Sequence, residues 1–281
     1  LVLVRDPLLS VGWPIPTATD IAFALGVLAI LGKGLPPTFR ALLLAIAVID
    51  DLIAILIIAV FFTSELAAIP LLIAVPVVML FGWLSYRVTR RRRRWIIPLM
   101  VALALAVWVL VYLSGIHPTV AGVALGLLMA DATAARTRHA IEPWSNVVIL
   151  PLFALVAALV PIASTSISQL SPAFWGVVVA LPLGKLVGIT AGASIAMALA
   201  GRKNSAPQLP IADVLAVAGL GGIGFTVSLL MNELAFEGQD AVANEVTLAV
   251  MVASVIAALI GGVLTMLRSH HYRRTASPPA S

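Results

Sequence analysis

The chain contains no cysteine, so neither a disulfide framework nor a thiolate metal centre can organise it. Charge is scarce as well: Asp, Glu, Lys and Arg make up 10% of the 281 residues, against 62% hydrophobic ones, and the mean hydropathy is +1.13. A water-soluble domain needs more polar surface than this sequence can supply, which leaves an all-α polytopic membrane protein. The opening residues are not expected to be a signal peptide. The chain opens LVLVRDP, with neither a basic leading segment nor an initiator methionine, and the true N-terminus is expected to lie upstream.

One set of loops lacks Lys and Arg altogether. The stretches that hold Glu65, Glu233, Glu237, Asp240 and Glu245 carry neither, whereas the alternate loops and the C-terminal tail hold 15 of the 17 basic residues. The sequence pI near 10.2 therefore reports topology, and no nucleic-acid partner is expected. By the positive-inside rule the basic loops and the C-terminus face the cytoplasm, and with nine crossings the N-terminus lies outside. The run Arg90 to Arg94 falls between two spans and reads as an anchor at the lipid headgroups of that side.

What the chain has in abundance is apolar runs. Nine membrane segments are predicted, at residues 12–31, 37–62, 66–86, 95–113, 118–130, 144–163, 172–200, 211–236 and 243–267. They form one transmembrane domain over residues 1–267, and 268–281 is a cytoplasmic tail. The fifth segment is short for a full span, and its Gly122 and Gly126 have the GxxxG spacing that lets another helix approach closely.

The second segment carries the chemistry. In ALLLAIAVIDDLIAILIIAVFF, residues 41–62, two aspartates sit side by side at the centre of an apolar run. Neither apolar half is long enough to span alone, so insertion puts Asp50 and Asp51 near the midplane, where each costs about 2.5 to 3.5 kcal/mol. Such a cost is usually tolerated only where the carboxylates meet a partner charge or a water-filled path, which marks an ion or proton site. Neighbouring residues on a helix point about 100° apart, so one can face the path while the other faces another helix. Two carboxylates this close also release their protons in two separate steps. Oxygen ligands without thiolates or a histidine cluster suit a hard cation such as Na⁺ or Li⁺.

Three further features complete the pattern. The first segment, GWPIPTATDIAFALG, has two prolines with Thr17, Thr19 and Asp20, and is expected to unwind. The eighth contains GLGGIGFTVS, whose Gly219, Gly221, Gly222 and Gly224 predict a broken helix; no strand precedes it, so a dinucleotide site is excluded. Two interrupted segments in separate halves point to a transporter's binding site near the midplane. The only lysine inside a segment, Lys185 in LPLGKLVGIT, is expected to pair with Asp50 or Asp51, with Gly184 and Gly188 thinning the helix around it. Asp131 and Asp213 lie at segment ends and read as solvated charges.

These stretches, together with SGIHPTVAGVALG and ILPLFA, resemble the bacterial NhaA-type sodium/proton antiporters along nearly the whole chain. The resemblance implies an inverted-repeat fold with two discontinuous helices crossing near the midplane, the first repeat over roughly residues 12–62 and the second over 172–267. It implies a secondary transporter, not an enzyme, that exchanges Na⁺ or Li⁺ for H⁺ across the bacterial inner membrane and so controls internal pH and sodium. No cofactor is expected; the partners are membrane lipids and, in the complete protein, a second copy of the chain. Carried over, the family's main cation ligand is Asp51, helped by Asp50, and its lysine, which joins in proton release, is Lys185. Thr19 and Asp20 support the first discontinuous helix, with Gly221, Gly222 and Gly224 in the second. His117, His139 and Glu142 are candidates for pH response, although His117 reads equally as an interfacial histidine and RTRHAIEPW departs from the family's arrangement. Three family helices that precede GWPIPTATD have no counterpart in the sequence, so this chain expressed alone is expected not to transport.

Two rival readings are weaker. An intramembrane aspartyl protease built on Asp20 and Asp50 lacks the YD and GxGD contexts and leaves Asp51 and Lys185 unexplained. A sodium-coupled organic-anion symporter would need a substrate pocket for which only Lys185 offers a group.

Overall fold

The computed structural model describes residues 7–63, 66–91, 96–158, 170–200 and 209–276, and every regular element among them is helical. We label the helices α1 (Ile21–Leu31), α2 (Pro37–Phe61), α3 (Ala68–Arg91), α4 (Ile97–Leu113), α5 (Thr119–Leu128), α6 (Asp131–Trp144), α7 (Leu150–Ala158), α8 (Pro172–Val179), α9 (Lys185–Ala200), α10 (Ile211–Gly221), α11 (Phe225–Ala235) and α12 (Asp240–Ala276). Residues Arg92 to Arg94, Arg202 and Lys203 of the basic loops lie outside the described residues, as does Glu65. By length and composition, four helices can cross a membrane: Pro37–Phe61, Ala68–Thr89, Pro172–Leu199 and Asp240–Thr275. Among the described residues the pair α10 and α11, bent by 50° at its break, passes the same test only when taken together, and Ile15–Leu31, Ile97–Leu113 and Thr119–Leu128 are shorter apolar helices. The protein is thus a multi-pass helical membrane protein.

The chain divides into two compact units, Leu1–Asp51 with Ala154–Ser281, and Leu52–Phe153. In the first unit a buried apolar core joins Ala24 and Leu28 of α1, Phe39 and Leu43 of α2, Ala216, Val217 and Leu220 of α10, Ile223, and Ala257 of α12. Bilayer lipid is as apolar as these side chains, so close packing, not escape from water, holds such helices together. Helices α10 and α12 approach closely. A Cβ on Gly261 would fall 2.6 Å from the backbone nitrogen of Leu220 and 2.7 Å from the carbonyl carbon of Gly219, so only hydrogen fits there.

The second unit is built on α3 and α4, with α5 against both, around Phe81, Leu84, Met100, Val107 and Val111. The buried hydroxyl of Ser85 accepts the backbone N–H of Ala130 at 2.9 Å, and the hydroxyls of Thr89 and Thr133 meet at 2.7 Å. These bonds anchor the start of α6 on α3. The helix begins at Asp131, ahead of the apolar segment read from residue 144, and runs into α7 through a π-helical turn, Ser145–Ile149. Periodicity of apolar residues could not reveal it, because the sequence DATAARTRHAIEPW is polar and buries none of its residues. The expected helix contact at Gly122 and Gly126 is also corrected: among the described residues, a Cβ at either would meet nothing within 4 Å.

His117 lies in the turn between α4 and α5. Its Nδ1 is 2.9 Å from the Thr119 hydroxyl and accepts a long contact from the Thr119 N–H at 3.5 Å, which caps the start of α5. Burial holds this imidazole below its ordinary value of 6.5. The sign follows: the cap is fully present above about pH 6.5, where the unfolded histidine is also neutral, and its contribution is lost as pH falls toward the lowered folded value. Amide exchange in the first turn of α5 is expected to speed up on acidification across this window, and His117→Asn should remove that pH dependence. An identical pH response in the variant would show that another group is responsible.

Candidate functional site: a charged triad and two interrupted helices

The site grows from two places where backbone helices stop inside the first unit. The chain enters as a 3₁₀ turn, Ile15–Thr17, then runs extended through Ala18 before α1 begins after Asp20. Pro14 and Pro16 explain the interruption, since neither can donate a helical hydrogen bond. On the other side, α10 ends at Gly221 and α11 starts at Phe225. Glycine is required at Gly224 by proximity: a Cβ would fall 2.8 Å from Leu181 Cδ1 and 3.2 Å from the carbonyl oxygen of Ala18. Its φ of −99° is open to any residue.

Unwinding leaves peptide groups that must be satisfied in a low-dielectric setting, where each orphan costs several kcal/mol. The two breaks satisfy each other. The Asp20 N–H donates to the carbonyl of Ile223 at 2.5 Å, and the Ser228 hydroxyl donates to the carbonyl of Ile15 at 2.7 Å. The Ser254 hydroxyl accepts the Phe225 N–H at 3.2 Å. The carboxylate of Asp20, 2% exposed, serves two helix starts at once. Its Oδ1 accepts Phe23 N–H at 3.1 Å to cap α1, and its Oδ2 accepts both the N–H and the hydroxyl of Thr226, at 3.1 and 2.7 Å, in the first turn of α11. Helix N-termini carry partial positive charge, so one anion offsets two of them.

Beside the breaks stands the charged triad. Lys185 Nζ, buried to 8% exposure, donates to Asp50 Oδ2 at 2.5 Å and to the Thr19 hydroxyl oxygen at 2.8 Å. That hydroxyl is in turn 2.8 Å from Asp50 Oδ2 and 2.9 Å from the carbonyl oxygen of Gly221, so its single proton can serve only one acceptor at a time. A π-helical turn, Ala180–Gly184, around Pro182 sets the direction of Lys185; π turns of this kind gather at functional sites. Around it Gly184 and Gly188 leave space: a Cβ there would meet nothing among the described residues nearer than Ala180 Cβ at 4.0 Å. Asp51 is half-buried and within electrostatic range of Asp50, Lys185 and Asp20. Its Oδ1 is buried, and no hydrogen-bond donor of the described residues reaches it.

Of the candidates read from the sequence, Thr19, Asp20, Asp50, Asp51, Lys185, Gly221, Gly222 and Gly224 therefore lie in one unit, and contacts bind most of them together. His117, His139 and Glu142 belong to the second unit. His139 is exposed, and Glu142 accepts from Arg138 Nε at 3.3 Å in an exposed i,i+4 pair that contributes little. Sequence reasoning missed Thr226, Ser228 and Ser254; a hydroxyl one residue into a helix, directly after GIG, was the only available signal. Asp213 is a correction. Expected as a solvated charge, it is 1% exposed and bonded to Arg268 and Tyr272.

A profile of one transporter family, described as Na+/H+ antiporter 1, matches residues 1–265. The chain belongs to that family. It is 53% identical over 269 residues to the Na(+)/H(+) antiporter NhaA 2 of Clavibacter michiganensis, covering 95% of this chain and 66% of the relative. The Na(+)/H(+) antiporter NhaA of Tropheryma whipplei is 44% identical over 273 residues, 96% of this chain and 69% of the relative. The NhaA of Streptomyces avermitilis is 45% identical over 272 residues, 93% of this chain and 57% of the relative. The chain thus spans about two thirds or less of the length of these antiporters. The match includes both interrupted stretches and the Asp50, Asp51 and Lys185 positions.

Proposed function

We propose that this chain carries the ion site of a secondary transporter that exchanges Na⁺ or Li⁺ for H⁺ across the bacterial inner membrane, with its basic loops and C-terminus in the cytoplasm. The observation that carries the reading is the buried Asp51 oxygen that no donor among the described residues reaches, set beside the half-buried Asp50 and its buried partner Lys185. Lone pairs left free of donors are what a hard cation needs, and Asp50 supplies a second anionic oxygen one residue away. Membership in an antiporter family and relatives named Na(+)/H(+) antiporter support the same exchange.

Coupling follows from charge accounting. Without sodium, Lys185 keeps its ammonium because Asp50 compensates it; a buried charge that loses its partner costs several kcal/mol. Sodium held by Asp51 and Asp50 competes for the same Asp50 carboxylate, so the ammonium loses its partner and a proton leaves. Protons returning to the carboxylates and to Lys185 expel the cation. The inverted-repeat arrangement, with α1 and the α10–α11 break as counterparts near the midplane, belongs to this proposal.

The test is reconstitution of the complete protein that carries this chain in vesicles with an imposed pH gradient, acid inside. Adding Na⁺ or Li⁺ outside should release protons, while choline should not. Absence of sodium-dependent release, or uptake of organic anions or cleavage of a membrane peptide instead, would overturn the reading.

A further inference from the structure

At the end of the first unit that carries Lys33 and Arg268 lies a second buried ionic group that the ion site does not use. Asp213, in the first turn of α10, accepts Arg268 Nε on Oδ1 at 2.6 Å and the Tyr272 hydroxyl on Oδ2 at 2.7 Å. Arg268 also covers the ring of Tyr272, 5.2 Å from its centroid. Next to them on the same helix, the Ser269 hydroxyl and Arg273 Nε both donate to the carbonyl oxygen of Lys33, at 2.5 and 2.9 Å. Lys33 sits in the turn between α1 and α2, where Gly34 at φ +93° lets the backbone lie against the Arg273 side chain. Residues 268, 269, 272 and 273 fall on one face of a helix. A single stretch of α12 therefore grips α10 and the α1–α2 turn together.

The elements it grips are the ones that meet at the ion site. From Asp213, α10 runs about 13 Å to its break, and from Gly32, α1 runs back about 18 Å to Asp20, at 1.5 Å per residue. The bonds Asp20 to Thr226, Asp20 N–H to Ile223 and Thr19 to Gly221 join the α1 side to the α10–α11 side. Helices are stiff over such lengths, so pinning one end restricts sliding and rotation at the other. No residue of the triad takes part in the pinning.

We propose that Asp213, Arg268 and Tyr272, with the Ser269 and Arg273 bonds to Lys33, form a strap that positions the two interrupted elements and so holds the ion site in register while its own contacts change. The functional half rests on the sodium/proton reading; the structural half does not. In purified protein, Arg268→Gln should speed amide exchange roughly fivefold or more at Asp20, Phe23 and Thr226, a typical size for coupling between sites, and leave peptides of Leu52–Phe153 unchanged. In vesicles the same substitution in the complete protein should raise the apparent KM for sodium several-fold with the rate per folded molecule preserved. The double variant Arg268→Gln with Asp213→Asn restores neutrality and hydrogen bonding and should recover both. Tyr272→Phe, which removes only one bond, should shift exchange in the same direction by less and serves if Arg268→Gln does not fold. Unchanged exchange at the breaks in these variants, or equal acceleration in both units, overturns the strap. Normal strap exchange effects in a protein that shows no sodium-driven flux would instead sink the transport reading alone.

Discussion

Asp51→Asn should abolish sodium-driven proton movement while leaving the protein folded. The substitution keeps the shape of the side chain and removes the charge from the carboxylate whose buried Oδ1 no described donor reaches. A cation about 2.5 Å from a carboxylate gains roughly 6 to 7 kcal/mol at an effective dielectric near 20. Even if most of that is spent on desolvation, about 2 kcal/mol remains, or roughly thirtyfold in affinity. The loss of exchange is greater than this, because Asn cannot take up the competing proton either. Asp50→Asn tests the other half: it leaves the Lys185 ammonium with Thr19 alone and should alter the pH profile as well as the rate. Variants of the complete protein assayed in vesicles, with thermal unfolding as the folding control, give the answer. Wild-type exchange by Asp51→Asn would end the carboxylate mechanism.

Gly261→Ala should be the most destabilising of the glycine substitutions. The added methyl would meet three backbone atoms, Leu220 N at 2.6 Å, Gly219 C at 2.7 Å and Gly219 O at 2.9 Å, none of which can swing aside as a side chain can. The helices must separate, and overpacking of this kind costs about 1 to 3 kcal/mol. Separation would also disturb the Gly219 carbonyl, which accepts the Gly222 N–H at the break, so ion affinity should suffer along with the melting temperature. Gly122→Ala and Gly126→Ala are the controls. Each points into open space, and alanine is the better helix former by about 0.8 to 1.0 kcal/mol, so these should be neutral or slightly stabilising. A Gly261→Ala protein that melts like the parent would show that α12 can yield without cost.

The contrast between these glycines shows where sequence reasoning reaches and where it stops. A GxxxG spacing was visible at Gly122 and Gly126, yet the close helix approach is made by Gly219 and Gly261, which are 42 residues apart in sequence and become a pair only when α10 lies on α12. Asp50, Asp51 and Lys185 were legible because a charge in the middle of an apolar run has few explanations. Thr19 and Asp20 stood out through their neighbouring prolines. Asp213 was misread for the converse reason: near the end of a segment, solvent is the default partner, and Arg268 lies 55 residues further on. Thr226 and Ser228 are ordinary helix residues until the Asp20 carboxylate and the Ile15 carbonyl arrive beside them. Helix α6 escaped because its order comes from Ser85 and Thr89 and not from an apolar face.

The long separations within the site also set a timetable for its making. Lys185 follows Asp50 by 135 residues, and Thr226 follows Asp20 by 206. At about 5 to 20 residues per second, translation brings Lys185 into being roughly 7 to 27 s after the aspartate it neutralises. During that interval α2 must wait in or at the bilayer with two uncompensated acids, and the start of α1 must wait longer still for the α10–α11 break to give Ile223, and α11 to give Thr226, to Asp20. The candidate site is therefore among the last parts of the newborn chain to be completed: a ribosome that stalls before residue 185 leaves Asp50 without Lys185, and one that stalls before residue 226 leaves Asp20 without Thr226.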